Sequence, residues 1–386
     1  MLPRLARCPL LTWLLACGLH AQTSRPEPVR VFLLAGQSNM EGYGKLTTLD
    51  ALGAHPTQGQ LLKQIRKDDG TFVVRDDVFL YYARGDQRIA APLTAGQGAH
   101  AGFIGPELGF GITLGDACQA PVLLIKTAWG GKDLYCDFRP PSAGKPAYAI
   151  PGTPREVGAS YRQMVAEIHA CLDHLDTQFP QLRGRGFQLC GLVWFQGWND
   201  MCADRSIRPQ VLDEYASNFA HLVADLRAEF GVPRLPVVVG EVGVDGEQRV
   251  SRDMAALRAA QQRIQAQPTL AGTLGYVPTA PFWYAELDTL SSQLAAAERR
   301  VRQTLAAQLA TTRPDPADAA HRKEVERRVN EALPKALAAD PGYQETKAQH
   351  DRHIGHWECH YWGSARVYAL AGQAFARAML KLVEKS

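Results

Sequence analysis

Short apolar runs recur along the chain at Val31–Ala35, Val122–Lys126, Gly191–Phe195, Val237–Val239 and Gly272–Val277, each about as long as a buried strand. Between several of them the apolar residues return every three or four positions instead. Helices are predicted over Glu107–Ala117, introduced by Gly105-Pro106, over Ser160–Leu175, and over Tyr215–Phe230, which Gly231-Val232-Pro233 ends. Strand-like and helix-like stretches in alternation predict an α/β fold with a mostly parallel central sheet wrapped by helices. From about residue 288 to 350 the pattern changes to an Ala, Arg, Glu and Gln-rich stretch interrupted by Pro314, Pro316, Pro334 and Pro341. This predicts a helical insertion, a hairpin or lid with packing duty rather than chemistry. A last helix is predicted over Ser364–Glu384. Neither a repeat nor a low-complexity linker divides the chain, so residues 22–386 read as a single domain carrying that insertion.

Four of the strand-like runs pass directly into unusual polar or glycine-rich segments: Gly36-Gln37-Ser38-Asn39, Thr127-Ala128-Trp129-Gly130-Gly131, Gln196-Gly197-Trp198-Asn199-Asp200 and Gly240-Glu241-Val242-Gly243. In an open α/β sheet ligands sit beyond the carboxyl ends of the strands, so these segments are expected to converge there. Ser38 would be exposed at a strand end, with the N–H groups of a following helix aimed at a developing oxyanion; the same serine could merely cap that helix. Gly130-Gly131 would let backbone approach a ligand closely, and Asn199 could donate its side-chain amide. A serine nucleophile needs a base. His350, His353, His356 and His360 crowd together near the end of the chain, and His360 is best placed, just before the terminal helix. A zinc site from His353, His356 and His360 is the weaker alternative, because Gly355 and the aromatic flank oppose the regular helix that their spacing would need.

Composition narrows the context. The formal net charge is only +3, which offers no electrostatic reason to expect nucleic acid or an anionic membrane as partner. Residues 1–21 carry Arg4 and Arg7, an apolar run from Pro9 to Cys17, and small residues up to Ala21, the order of a signal peptide. The run is too short to span a bilayer, and no later stretch approaches an integral membrane span. A secreted or periplasmic protein is therefore expected, cleaved after Ala21; Leu14-Leu15-Ala16-Cys17 also allows lipoprotein anchoring at Cys17. Beyond Ala21 stand Cys118, Cys136, Cys171, Cys190, Cys202 and Cys359, whose irregular spacing is no metal pattern. Disulfides are permitted, but buried free thiols are expected, above all at Cys171 and Cys190 within apolar patterns.

The ordered blocks resemble the SGNH hydrolase superfamily, and within it the sialate O-acetylesterase-like group that includes carbohydrate esterase family 6. Gly36-Gln37-Ser38-Asn39-Met40 looks like the first block, Lys126-Thr127-Ala128-Trp129-Gly130-Gly131-Lys132 like the second, and Gln196-Gly197-Trp198-Asn199-Asp200 like the third. Gly105-Pro106-Glu107 and Asp137-Phe138-Arg139-Pro140-Pro141-Ser142 are also similar to secreted bacterial members. The resemblance implies a three-layer α/β/α, flavodoxin-like sandwich and a serine esterase that removes O-acetyl groups from a carbohydrate, with no metal and no cofactor. Ser38 would be the nucleophile, His360 the base, and the N–H groups of Ser38 and Gly131 with the Asn199 amide the oxyanion hole. Gln37, Gln196, Trp198 and Glu241 would line the substrate pocket. One departure stands out. The superfamily's last block has Asp three residues before the histidine, where this chain has Trp357. The orienting acid is nominally Glu358, with Asp351, Glu241 or no acid at all as alternatives; a Ser-His dyad can still work, because the acid chiefly sets tautomer and orientation. Two rival readings remain, a catalytically weak carbohydrate-binding relative of the same fold and a metal-dependent hydrolase.

Overall fold

The structure is a computed structural model that describes residues 27–148, 154–310 and 319–384. The leader over residues 1–21 and Cys17 fall outside the described residues, as do Pro314 and Pro316. Among the described residues nine strands form: β1 Val29–Gly36, β2 Gly44–Lys45, β3 Val78–Arg84, β4 Gln87–Pro92, β5 Phe103–Ile104, β6 Val122–Ala128, β7 Phe187–Phe195, β8 Val237–Glu241 and β9 Leu274–Pro278. Seven make one sheet in the order β4-β3-β6-β1-β7-β8-β9, parallel throughout except for the antiparallel edge pair β3-β4. All five apolar runs are strands of this sheet. Its central members are buried on both faces, which is why they read as continuous apolar runs and not as alternating ones. Val78–Arg84, wholly buried but for its last residue, is a strand that the sequence reading passed over.

Helices cover both faces. Pro106–Ala117 and the terminal helix Ala365–Val383 pack against each other on one side, where Phe32 meets Phe110 and Phe195 meets Phe375. Ala159–Leu172 and Arg208–Glu229 lie on the other, where Trp194 meets Phe219 and Tyr81 reaches Glu167. The result is a three-layer α/β/α sandwich. Three further helices, Ala285–Leu309, Ala319–Ala339 and Pro341–Asp351, bury a small cluster of their own, Ala297, Val301, Leu333 and Tyr343. Cys118, Cys136, Cys171, Cys190, Cys202 and Cys359 are all free thiols. Among the described residues no helix is long and apolar enough to cross a membrane.

Two features set up the site. Parallel strand order reverses about β1, whose neighbours β6 and β7 both come later in the chain, and such a reversal opens a crevice at the carboxyl edge. The register then levels the strand ends, since Gly36 pairs with Ala128 of β6 and with Phe195 of β7. The first three polar segments therefore leave the sheet side by side.

Candidate active site

At the end of β1 the chain turns so tightly against β7 that a Cβ on Gly36 would lie 2.2 Å from the Phe195 carbonyl oxygen; only glycine fits there. The turn delivers Ser38 to the start of the short helix Ser38–Glu41, 7% exposed. The β6 segment passes close by: a Cβ on Gly130 would stand 3.7 Å from the Ser38 Cβ, and the Gly130 N–H donates to the Glu41 carboxylate. Gly131 follows in a left-handed conformation at φ 76° with open space before it. Beneath this turn lies a buried ion pair. Lys126 Nζ donates to Glu107 Oε2 at 2.9 Å and to the Glu41 carbonyl at 2.7 Å, while Glu107 Oε1 accepts from the Gly105 N–H. The Gly105-Pro106-Glu107 motif thus braces the first and second blocks from below.

Gln37 connects the first block to the third. Its Oε1 accepts from the backbone N–H groups of Gly197 at 3.1 Å and Asn199 at 3.2 Å, so its other terminus must be the amide nitrogen. That nitrogen donates to Asn199 Oδ1 at 2.7 Å. The Asn199 oxygen is consequently committed, and its NH2 group is the end left to face a ligand. Gln196 and Asp200 serve the scaffold: Gln196 donates to the Lys132 carbonyl and to Asp200, and Asp200 also accepts from the Leu134 and Tyr135 N–H groups. Burial, with the nearby Asp133 charge, drives the Asp200 pKa well above the usual carboxylate range.

The histidine-bearing segment, Glu358–Gly363, is tied to the residue beside Ser38. Asn39 Nδ2 donates to the Cys359 carbonyl at 3.2 Å, and the Tyr368 hydroxyl donates to Asn39 Oδ1 at 2.8 Å and to the His360 carbonyl at 3.3 Å. After His360 come three left-handed residues in succession, Tyr361, Trp362 and Gly363, at φ 50°, 54° and 65°. For the two that are not glycine this costs on the order of 1–3 kcal/mol each, so the surroundings must enforce it. They do so through the buried Tyr361 hydroxyl, which accepts from the Gly243 N–H at 2.8 Å and meets Thr279 Oγ1 at 2.6 Å, and through the Trp362 carbonyl, which accepts from the Gly355 and His356 N–H groups. The His360 ring stacks on Tyr43, centroids 4.2 Å apart and planes 9° apart, and its Nδ1 lies 2.8 Å from Nδ1 of His356. Burial, followed by the neighbouring His356, pushes the His360 pKa down to about 4, so the imidazole is neutral at ordinary pH.

With this geometry in place, residues 28–273 match the family described as carbohydrate esterase, sialic acid-specific acetylesterase, well over half of the chain. The chain belongs to that family. Solved structures similar to it are a protein of Arabidopsis thaliana (17% identity, 65% of this chain and 86% of that one, TM-score 0.39), a carbohydrate acetylesterase from Xanthomonas citri (20%, 64% and 49%, TM-score 0.40) and NanS (17%, 66% and 79%, TM-score 0.41). The chain spans about half the length of the Xanthomonas enzyme. No curated protein gives a significant match. The family match holds all three polar blocks and ends before the helical insertion and His360.

Within this esterase scaffold several expected roles change. Gln37, Gln196 and Glu241 do not line a substrate pocket: they are 1%, 0% and 4% exposed and spend their polar atoms on the protein. Glu241 accepts from the Tyr276 hydroxyl and from Gln262 Nε2. Trp198 is half-buried against the main core. Glu358 does not meet His360; its carboxyl group bonds to that of Asp245 and faces Asp288, and burial with these like charges raises its pKa. Asp351 pairs with Lys347 and His350, so none of the carboxylates considered reaches the His360 Nδ1. Of the three histidines weighed for a metal, His356 and His360 meet but His353 stands apart. His353 Nδ1 turns to the Tyr284 hydroxyl at 3.3 Å, and among the described residues no group of three or more His, Cys, Asp or Glu is arranged for a metal ion.

The cavity beside Gly131 and Asn199 has a volume of about 350 Å³ and is walled by Asp133, Tyr135, Arg155 and Asp204. Arg155 bridges Asp133 and Asp137, each at 2.7 Å. Asp133, Tyr135, Arg155, Asp204 and Tyr43 escaped the sequence reading, which held His356 only as a member of the histidine cluster and Asp137 only as the start of the Asp137–Ser142 motif. Asp133 flanks a block that it had marked, but Arg155 and Tyr43 stand in segments with no pattern to single them out.

Proposed function

We propose that the chain hydrolyses O-acetyl esters of a carbohydrate through an acetyl-enzyme on Ser38. His360, neutral, takes the Ser38 hydroxyl proton while Oγ attacks the acetyl carbonyl; the N–H groups of Ser38 and Gly131 and Nδ2 of Asn199 hold the oxyanion. His360 then passes its proton to the departing sugar oxygen. Water adds to the acetyl-enzyme, giving a proton to His360, which returns it to Ser38 Oγ as acetate leaves. The observation that carries this reading is the commitment of the Asn199 oxygen to Gln37, which leaves the amide NH2 as a preset donor on the cavity that Asn199 lines with Gly131. Such a donor is typically worth about 3 kcal/mol of transition-state stabilisation. Acetylated polysaccharide and acetylated sialic acid are the substrate classes, met outside the cytoplasm after removal of residues 1–21 or with Cys17 as a lipid anchor.

Acetate release from acetylated xylan and from O-acetylated sialic acid tests the reading. Ser38→Ala should abolish it, and equal release by the variant would refute the acyl-enzyme. That no carboxylate among the described residues meets His360 Nδ1 favours one rival, a catalytically weak carbohydrate-binding relative. Intact sugar binding without turnover of a simple aryl acetate would support that rival.

A further inference from the structure

The place a triad carboxylate would take, at His360 Nδ1, is held by an imidazole 2.8 Å away. We infer that His356 is the positioning residue of this site: as a neutral acceptor it fixes the tautomer and orientation of His360 in place of an acid. The inference rests on the acyl-enzyme reading. Two imidazole nitrogens at hydrogen-bond distance share one proton, so one donates and the other accepts. A base working through Nε2 must carry its proton on Nδ1. His360 Nδ1–H therefore donates, His356 Nδ1 accepts, and the proton of His356 resides on its Nε2.

The surroundings hold both rings in this relation. The His356 N–H donates to the Trp362 carbonyl, the Gly355 N–H shares that acceptor, and the strained run at Tyr361 and Trp362 fixes the loop between the two histidines. The His356 ring packs against Tyr43 at 4.6 Å, Trp357 at 5.1 Å and Phe103 at 6.3 Å between centroids, and Tyr43 also stacks on His360. The ionisable groups around the pair are Tyr43, which itself faces Glu41 and Cys359, and, beside His356, Lys45 of β2 and His100 of the loop before β5. Burial first, then His100 and Lys45, oppose protonation of His356, which keeps its Nδ1 an acceptor. A neutral acceptor orients the base but lends the imidazolium none of the charge stabilisation that a carboxylate supplies. An acid limb well below that of an ordinary histidine follows from this.

Turnover of an aryl acetate as a function of pH tests the pairing in the full chain. His356→Phe, which removes the acceptor, should lower kcat on the order of 10²-fold with KM little changed. His356→Gln, which restores a neutral acceptor, should recover at least about tenfold of that loss. His356→Asp should move the acid limb of kcat/KM up by about one pH unit or more, because a carboxylate favours the imidazolium. In 15N-labelled protein the ring correlations should report the Nδ1–H tautomer for His360 and the Nε2–H tautomer for His356, a readout that needs no turnover. The reverse tautomers, full kcat in His356→Phe, or an unmoved acid limb in His356→Asp would each overturn the pairing. An inactive Ser38→Ala beside unchanged His356 variants would refute the pairing alone, whereas an active Ser38→Ala would refute the acyl-enzyme.

Discussion

Replacing Gln37 with Ala removes three hydrogen bonds from a side chain that is 1% exposed and faces no substrate. Two of the lost bonds hold the Gly197 and Asn199 N–H groups, and the third orients the Asn199 amide. At about 1 kcal/mol net each, the variant should lose about 3 kcal/mol of folding stability, read from urea unfolding. The catalytic cost follows from Asn199. Deleting an oxyanion donor outright lowers kcat by about 10²–10³-fold, so Asn199→Ala sets the upper bound. An amide that is present but no longer oriented should lose part of that, about 10–100-fold in kcat, with KM for an aryl acetate little changed. Because Gln37 is argued to act only through Asn199, the double variant Gln37→Ala/Asn199→Ala should turn over no more slowly than Asn199→Ala alone. Losses that multiply in the double variant would refute the argument, as would a destabilised Gln37→Ala with normal kcat.

Breaking the buried pair by Lys126→Met should destabilise the fold by about 3–5 kcal/mol, since Glu107 would be left buried without its ionic partner; adding Glu107→Leu should recover part of it, and a loss below about 1 kcal/mol would contradict the pairing. Tyr361→Phe strands the buried Gly243 N–H, so unfolding measurements should show a loss of about 1–3 kcal/mol, and kcat should fall with it because the left-handed run that carries His360 loses its anchor. The pH dependence has a definite sign. His360 binds its proton near pH 4 in the folded chain against about 6.5 when unfolded, so between those values the unfolded chain holds more protons and stability drops as pH falls. Urea midpoints at pH 7 and 4.5 should therefore differ less in His360→Asn than in the parent, and equal differences would rule out the shift.

What the sequence determined by itself was the sheet and the polar turns that leave its carboxyl edge side by side. Strands buried on both faces need unbroken apolar runs, and a ligand edge needs polar and glycine-rich turns directly after them. Both patterns are local, so Ser38, Gly131 and Asn199 could be read together before any fold was known. Val78–Arg84 was equally readable in kind, a Val-Phe-Leu-Tyr-Tyr run, and was simply passed over. What only the tertiary structure decided was the direction in which polar side chains point. Gln37, Gln196 and Glu241 look in sequence like pocket residues, yet each bonds a group on another segment, as far away as Gly197 and Asn199 are from Gln37. The same holds for His360. Spacing offered Glu358 as its partner, but three consecutive left-handed residues turn the loop so that His356 meets Nδ1 and Glu358 faces Asp245. Such backbone is unfavourable for Tyr361 and Trp362 taken alone, and no local preference announces it. It exists because the Tyr361 hydroxyl finds Gly243 and Thr279, contacts that only the folded chain can make.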